Sequence, residues 1–180
     1  AISQKEIAGA LEVVGTTQQM IHKLDVIRDS IIFGSEEGVD IVQGLYNFHS
    51  HPKEAYERHN VLLAWPSPQD YVGFILALIE DNTICHMVIS IEGIYIISAS
   101  PEWFDNPLPL DKSFGSFIID KYDMTCGHQI NDYLTYINSI KYKDRYPLID
   151  LQFLSWEDSQ TSFNVVFGRK ESNCLVKMTM

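Results

Sequence analysis

The chain has 180 residues, enough for one domain with a substantial core, and a content of 46% hydrophobic and 21% charged residues excludes a disordered or collagen-like polymer. Its 13 basic and 24 acidic residues leave a net charge of −11, which opposes contact with a phosphate backbone and argues against nucleic acid as a partner. No apolar run approaches the roughly 20 residues of a membrane span, and no charged-then-apolar signal segment opens the chain. Three cysteines, Cys85, Cys126 and Cys174, with no Cys-x-x-Cys spacing, exclude a four-cysteine zinc site and argue against a disulfide framework. A soluble protein of a cytoplasmic, reducing compartment is expected. Ala1 rather than Met opens the chain, which fits either processing or derivation from a longer protein.

Glu6 to Val14 reads as a buried strand, apolar on both faces, ended by a turn at Gly15-Thr16-Thr17. Met20, His22, Leu24 and Val26 fall on one face and Ile21, Lys23 and Asp25 on the other, a period of two that predicts a second strand. Glu36-Glu37-Gly38 marks a turn, and Val39 to Phe48 reads as a third strand, stopped soon after by Pro52. Lys53 to Pro66 reads as irregular. A helix follows it: Ser67 and Asp70 match a capping box, Pro68 suits the first helical position, and Tyr71, Phe74, Ile75, Leu78 and Ile79 form an apolar stripe. His86 to Ile91 and Ile94 to Ser98 read as a hairpin through Glu92-Gly93. Proline-rich Ser100 to Pro109 reads as a loop or boundary. Ile130, Leu134, Ile137 and Lys141 predict a second helix over Gly127 to Lys141, and Leu148 to Trp156 with Ser162 to Phe167 read as a closing hairpin. Strands and helices mix without regular alternation, so the expected class is α+β with a mixed sheet flanked by helices.

The stretch that carries chemistry is His49-Ser50-His51-Pro52 followed by Ser67-Pro68-Gln69-Asp70. Residues i and i+2 of a strand share a face, so both imidazoles can reach one ion, and Pro52 leaves them at a sheet end. Asp70 falls in the first turn of a helix, where the dipole favours an ionised carboxylate. Two histidines and a carboxylate with a fourth position for water form the ligand set of catalytic zinc. Each motif alone also has an ordinary explanation, a satisfied surface histidine pair and a helix cap. The isolated His22, His86 and His128 read as packed or surface residues, and His59 as a solvated loop histidine. Trp65, Trp103 and Trp156 read as core or interface residues.

Taken together, these residues resemble the JAMM/MPN group of metalloproteases, whose members share an upstream Glu, a His-x-His-Pro and a Ser-x-x-Asp. Glu6-Ile7-Ala8-Gly9-Ala10-Leu11 is similar to the strand that carries the family's catalytic Glu. Gly44 to Pro52 is similar to the strand that delivers the histidines, and Trp65 to Tyr71 to the helix start that delivers the carboxylate. Val88 to Ser98 is similar to the family's next hairpin. The resemblance covers about residues 6–98 and implies a cytidine-deaminase-like JAMM/MPN architecture. It divides the chain into a catalytic core over 1–100 and a C-terminal extension of helix and β-hairpin over 101–180.

The resemblance further implies one zinc per chain on His49, His51 and Asp70, with Glu6 as general base and Ser67 as hydrogen-bond donor to the oxyanion. Glu12, Glu36 and Glu37 are the neighbouring carboxylates that compete with Glu6 for its role. Hydrolysis of a peptide or isopeptide bond is implied, with a protein substrate or a ubiquitin-like modifier as partner. The alternative is a scaffolding MPN-like subunit of a larger assembly, such as a virion component, without turnover. The 18 residues between His51 and Asp70 (52–69) exceed the family's usual length and predict a segment that covers the metal or contacts a partner.

Overall fold

The computed structural model describes residues 5–16, 21–35, 38–107, 109–124, 129–157, 162–166 and 173–178. It is α+β, with a mixed sheet flanked by helices. The strands are β1 (Ile7–Thr16), β2 (Ile21–Val26), β3 (Ile32–Phe33), β4 (Tyr46–Ser50), β5 (Cys85–Ile89), β6 (Gly93–Ala99), β7 (Lys141–Tyr142), β8 (Tyr146–Pro147), β9 (Ile149–Ser155), β10 (Ser162–Val166) and β11 (Asn173–Met178). The helices are α1 (Lys53–His59), α2 (Pro68–Glu80), α3 (Pro101–Asp105), α4 (Phe114–Lys121) and α5 (Ile130–Ser139). The main sheet runs β10-β11-β2-β1-β4-β5-β6-β9, with β3 also paired to β1. Strand β4 sits in its middle, antiparallel to β1 and parallel to β5.

A parallel pair needs a crossover, and here it is the segment holding α1 and α2. The sheet's pleat then separates two cores. Tyr46, Phe48, Cys85, Met87, Ile94 and Ile96 pack with Leu11 and Leu24 on one side. Val88, Tyr95 and Ile97 pack with α2, α4 and α5 on the other, through Tyr71, Phe74, Ile75, Ile118, Tyr133 and Ile137. The helical face is the heavier layer and carries the aromatic pairs, such as Trp65 stacked on Tyr133 at 4.4 Å. Gly9 lets the two central strands close up, because a Cβ there would lie 2.8 Å from the Phe48 ring. A Cβ on Gly93 would lie 2.3 Å from the Leu154 carbonyl, so only glycine allows β6 and β9 to pair at that point.

Several sequence expectations are corrected. Strand β1 runs through the expected turn to Thr16, with a register shift between Val13 and Gly15. Of the expected strand Val39 to Phe48, only its end is extended, as β4. The backbone before it bends because side chains satisfy its carbonyls: Asn47 donates to Val42 and Thr83 to Gly44. Lys53 to Pro66 contains α1, and Ser100 to Pro109 contains α3, started by Pro101. On α2 the stripe closes with Ala77 and Leu78, while Ile79 is exposed. Lys141 lies beyond α5, on β7. The closing hairpin does not form: β9 pairs β6, and β10 pairs β11, which joins the other end of the sheet beside β2. Among the described residues no helix is long and apolar enough to cross a membrane.

Candidate metal centre

His49 is the fourth residue of β4, with Ala8 opposite on β1 and Val88 opposite on β5. His51 follows the strand, yet its N–H still donates to the Ile89 carbonyl at 2.8 Å, so the ladder continues one step and the i, i+2 alignment holds. Asp70 is the third residue of α2, and its carboxylate accepts the Ser67 N–H at 2.6 Å, one half of a capping box. Sheet end and helix start thereby converge on one point.

The distances there are those of a ligand set. His49 Nε2 and His51 Nε2 are 3.0 Å apart, His49 Nε2 and Asp70 Oδ1 3.3 Å, and His51 Nε2 and Asp70 Oδ2 3.7 Å. Ligands about 2.0–2.1 Å from a tetrahedral ion are separated by roughly 3.3 Å, a value these edges bracket. Together the three residues could hold a metal ion.

The outward nitrogens fix the protonation pattern. His51 Nδ1 lies 2.8 Å from the Ala64 carbonyl, which can only accept, so this nitrogen carries a hydrogen. His49 Nδ1 lies 2.7 Å from Nε2 of His86, whose own Nδ1 lies 2.6 Å from Asn47 Oδ1. Burial pushes the His49 imidazole down to about 4 and the His86 imidazole to about 3, so both are neutral at pH 7. Burial alone would raise the Asp70 carboxyl. His49, His51, the Ser67 N–H and His86 together outweigh that effect and hold it below the ordinary carboxylate range.

Glu6 immediately precedes β1 and lines the same cleft. Its neighbourhood is set by three backbone contacts. The Ile7 N–H donates to Ser50 Oγ at 3.0 Å, the Gly34 N–H donates to the Glu6 carbonyl at 2.8 Å, and the Val39 N–H donates to the Glu6 carboxylate. Burial raises the Glu6 carboxyl, His51 lowers it and Asp70 raises it, so the group senses both ligands across the cleft. Glu12 is exposed on β1 opposite Asp25 and does not line the cleft. Glu36 and Glu37 lie outside the described residues. The Ser67 hydroxyl sits 3.0 Å from Asp70 Oδ2 and donates to it, which steadies the carboxylate.

The long segment after His51 is tied down. Tyr56 of α1 is buried and its hydroxyl donates to Glu92 Oε2 while accepting the Ile91 N–H at 3.0 Å. Glu92 Oε1 accepts the Ala64 N–H at 2.8 Å and the Tyr95 hydroxyl at 2.9 Å. One carboxylate on the β5–β6 turn therefore secures the segment whose Ala64 carbonyl holds His51. His59 is exposed on the cleft wall and outside the three-residue cluster. His22 has no described side chain, and His128 and Cys126 lie outside the described residues.

His86 and Asn47 are the residues that sequence reading missed. The available signal was a histidine inside the otherwise apolar Cys85–Ile89, since a buried imidazole needs a partner. Its partner follows only from the parallel register, which sets Asn47 beside His86. Comparison of the chain with protein-family models, curated proteins and solved structures finds no match.

Proposed function

We propose that the protein is a zinc-dependent hydrolase of peptide or isopeptide bonds with a JAMM/MPN-like architecture, acting on a protein carrying ubiquitin or a ubiquitin-like modifier. The observation that supports it best is the convergence of two imidazole nitrogens 3.0 Å apart with a carboxylate oxygen 3.3 Å from one of them. Donor atoms of these types, spaced like the edges of a tetrahedron, suit a divalent cation. A bound zinc ion would polarise the scissile carbonyl and bring a water to reactivity near neutral pH.

The chain's own residues do the rest. His49, His51 and Asp70 would hold the ion. Glu6, across the cleft, takes the proton of the attacking water and returns it to the leaving amine. Burial raises the Glu6 carboxyl, which makes it a stronger proton acceptor than an exposed glutamate. Ser67 donates to the oxyanion once its hydroxyl turns from Asp70. That engagement of Ser67 is also what favours the second reading, a scaffolding subunit that keeps the metal without turnover.

Metal analysis together with hydrolysis assays on ubiquitin-type conjugates tests both. One zinc per chain with Glu6-dependent cleavage supports the enzyme. One zinc without cleavage of any conjugate supports the scaffold. Protein offered zinc yet holding far less than one equivalent refutes both.

A further inference from the structure

Behind His49 lies a buried file of polar side chains that the hydrolytic chemistry does not use. Asn47, Thr83 and His86 are fully buried, and His49 is 3% exposed. Polar atoms so placed must satisfy one another, and here they can do so in only one sense. The Val42 carbonyl, 2.8 Å from Asn47 Nδ2, can only accept, so this atom of Asn47 is the NH2 group. Thr83 Oγ1, at 3.4 Å from the same nitrogen, gives its hydrogen to the Gly44 carbonyl at 2.8 Å and is left as an acceptor too. The other end of the amide, Oδ1, is then an acceptor facing His86 Nδ1 at 2.6 Å. His86 therefore carries its hydrogen on Nδ1 and turns a lone pair toward His49, whose Nδ1 must donate across 2.7 Å.

We infer that Asn47 and His86 form a one-way hydrogen-bond relay that locks His49 in its Nδ1–H form, making His86 a positioning residue that presents the His49 Nε2 lone pair to the metal. The inference rests on the metal reading above. His86 does not itself reach the ion: it is stacked beside His49 with ring centroids 4.9 Å apart, and its two nitrogens face His49 and Asn47. The relay ends in a neutral amide where a metal-bound histidine more often meets a carboxylate or a carbonyl. With no negative charge behind it, His49 would donate less electron density to a bound ion.

Two measurements test this. In the metal-free wild-type protein, long-range proton–nitrogen NMR of the imidazoles reads the tautomers directly, and His49 and His86 are both expected as Nδ1–H. Zinc affinity by competition with a chromogenic chelator is expected to fall 10- to 100-fold in His86→Phe, the range for loss of an outer partner. His86→Gln, whose carbonyl oxygen can still accept from His49, should recover most of that loss.

An Nε2–H tautomer for His49, or unchanged zinc affinity in His86→Phe, overturns the relay. Should His86→Phe fail to fold, the wild-type tautomers decide. A chain that binds no zinc yet shows both Nδ1–H tautomers retains the relay while the metal reading fails.

Discussion

The two histidines sit two residues apart on one strand end, yet different parts of the molecule orient them. His49 is governed by the sheet interior, through His86, Asn47 and Thr83 on strands β4 and β5 and the turn between α2 and β5. His51 is governed by the long segment between the ligands, through the Ala64 carbonyl, which depends in turn on Glu92 and Tyr56. The first support is dry and cannot change without disturbing the central strands. The second is a strap along the cleft wall, held by one carboxylate on the β5–β6 turn. One histidine is thus oriented by the sheet, and the other by a segment outside it.

The contrast can be broken from either side. The largest effect is expected from Asp70→Ala, which removes the carboxylate both histidines face and half of the cap of α2. Zinc binding should fall below detection, and the melting temperature should drop as for a lost cap, about 1 kcal/mol. His51→Ala should abolish zinc binding equally while leaving the cap intact, and equilibrium dialysis with thermal melts separates the two variants.

Next comes Glu92→Ala, which leaves Tyr56, Tyr95 and the Ala64 N–H without their acceptor. Buried donors left unpaired cost about 1–3 kcal/mol each before water re-enters, so a net loss of roughly 2–3 kcal/mol is expected in urea titration. The strap should open to protease at Lys53 and Arg58, and zinc affinity should fall through His51 alone, with the His49 tautomer unchanged. Tyr56→Phe should do the same on a smaller scale, about 1 kcal/mol, with cleavage at Arg58 as its most sensitive readout. Loss of the His49 tautomer in either strap variant would mean that the two supports are one.

The smallest effect concerns Glu6→Gln in metal-free protein. Burial raises the Glu6 carboxyl above 4.5, so the folded state holds its proton more tightly than the unfolded chain does. Stability from this group is therefore fully present below about pH 4.5 and is lost as pH rises through the folded value. At pH 7 the glutamine variant should melt at the same temperature or slightly higher, and the difference should vanish in acid. Cleavage should be abolished in the same variant with zinc retained. A clearly lower melting temperature at pH 7 would show that the carboxylate is held by stronger contacts than the Val39 N–H.

What the sequence disclosed and what it hid follow the same division. The triad was legible because each of its two motifs is local: a spacing of two on a strand, and a serine-to-aspartate cap with a spacing of three. Helix α2 was legible by its apolar stripe. Helix α1 was not, because it buries Tyr56 alone among its described side chains and so shows no stripe. Helix α4 carries Phe114, Phe117 and Ile118 in helical spacing, but the proline-rich stretch before it reads as the start of a loop. The relay was hidden for a deeper reason: Asn47 and His86 are 39 residues apart, and only the parallel register of β4 with β5 makes them neighbours. The closing hairpin failed similarly, since a turn signal after Trp156 says nothing of which strand β10 will choose.

The crossover that links β4 to β5 begins beside one proposed ligand and starts its second helix on another. An ion held by His51 and Asp70 would close this excursion into a ring, as a cross-link does. The unfolded chain would then lose freedom that the folded chain never had. Metal would on this account act as a clasp on the parallel pairing of β4 with β5, which requires distant strands to meet before any contact rewards them. Refolding with and without zinc would therefore differ in rate as well as in final stability, and the half-made protein would be the form most exposed to loss.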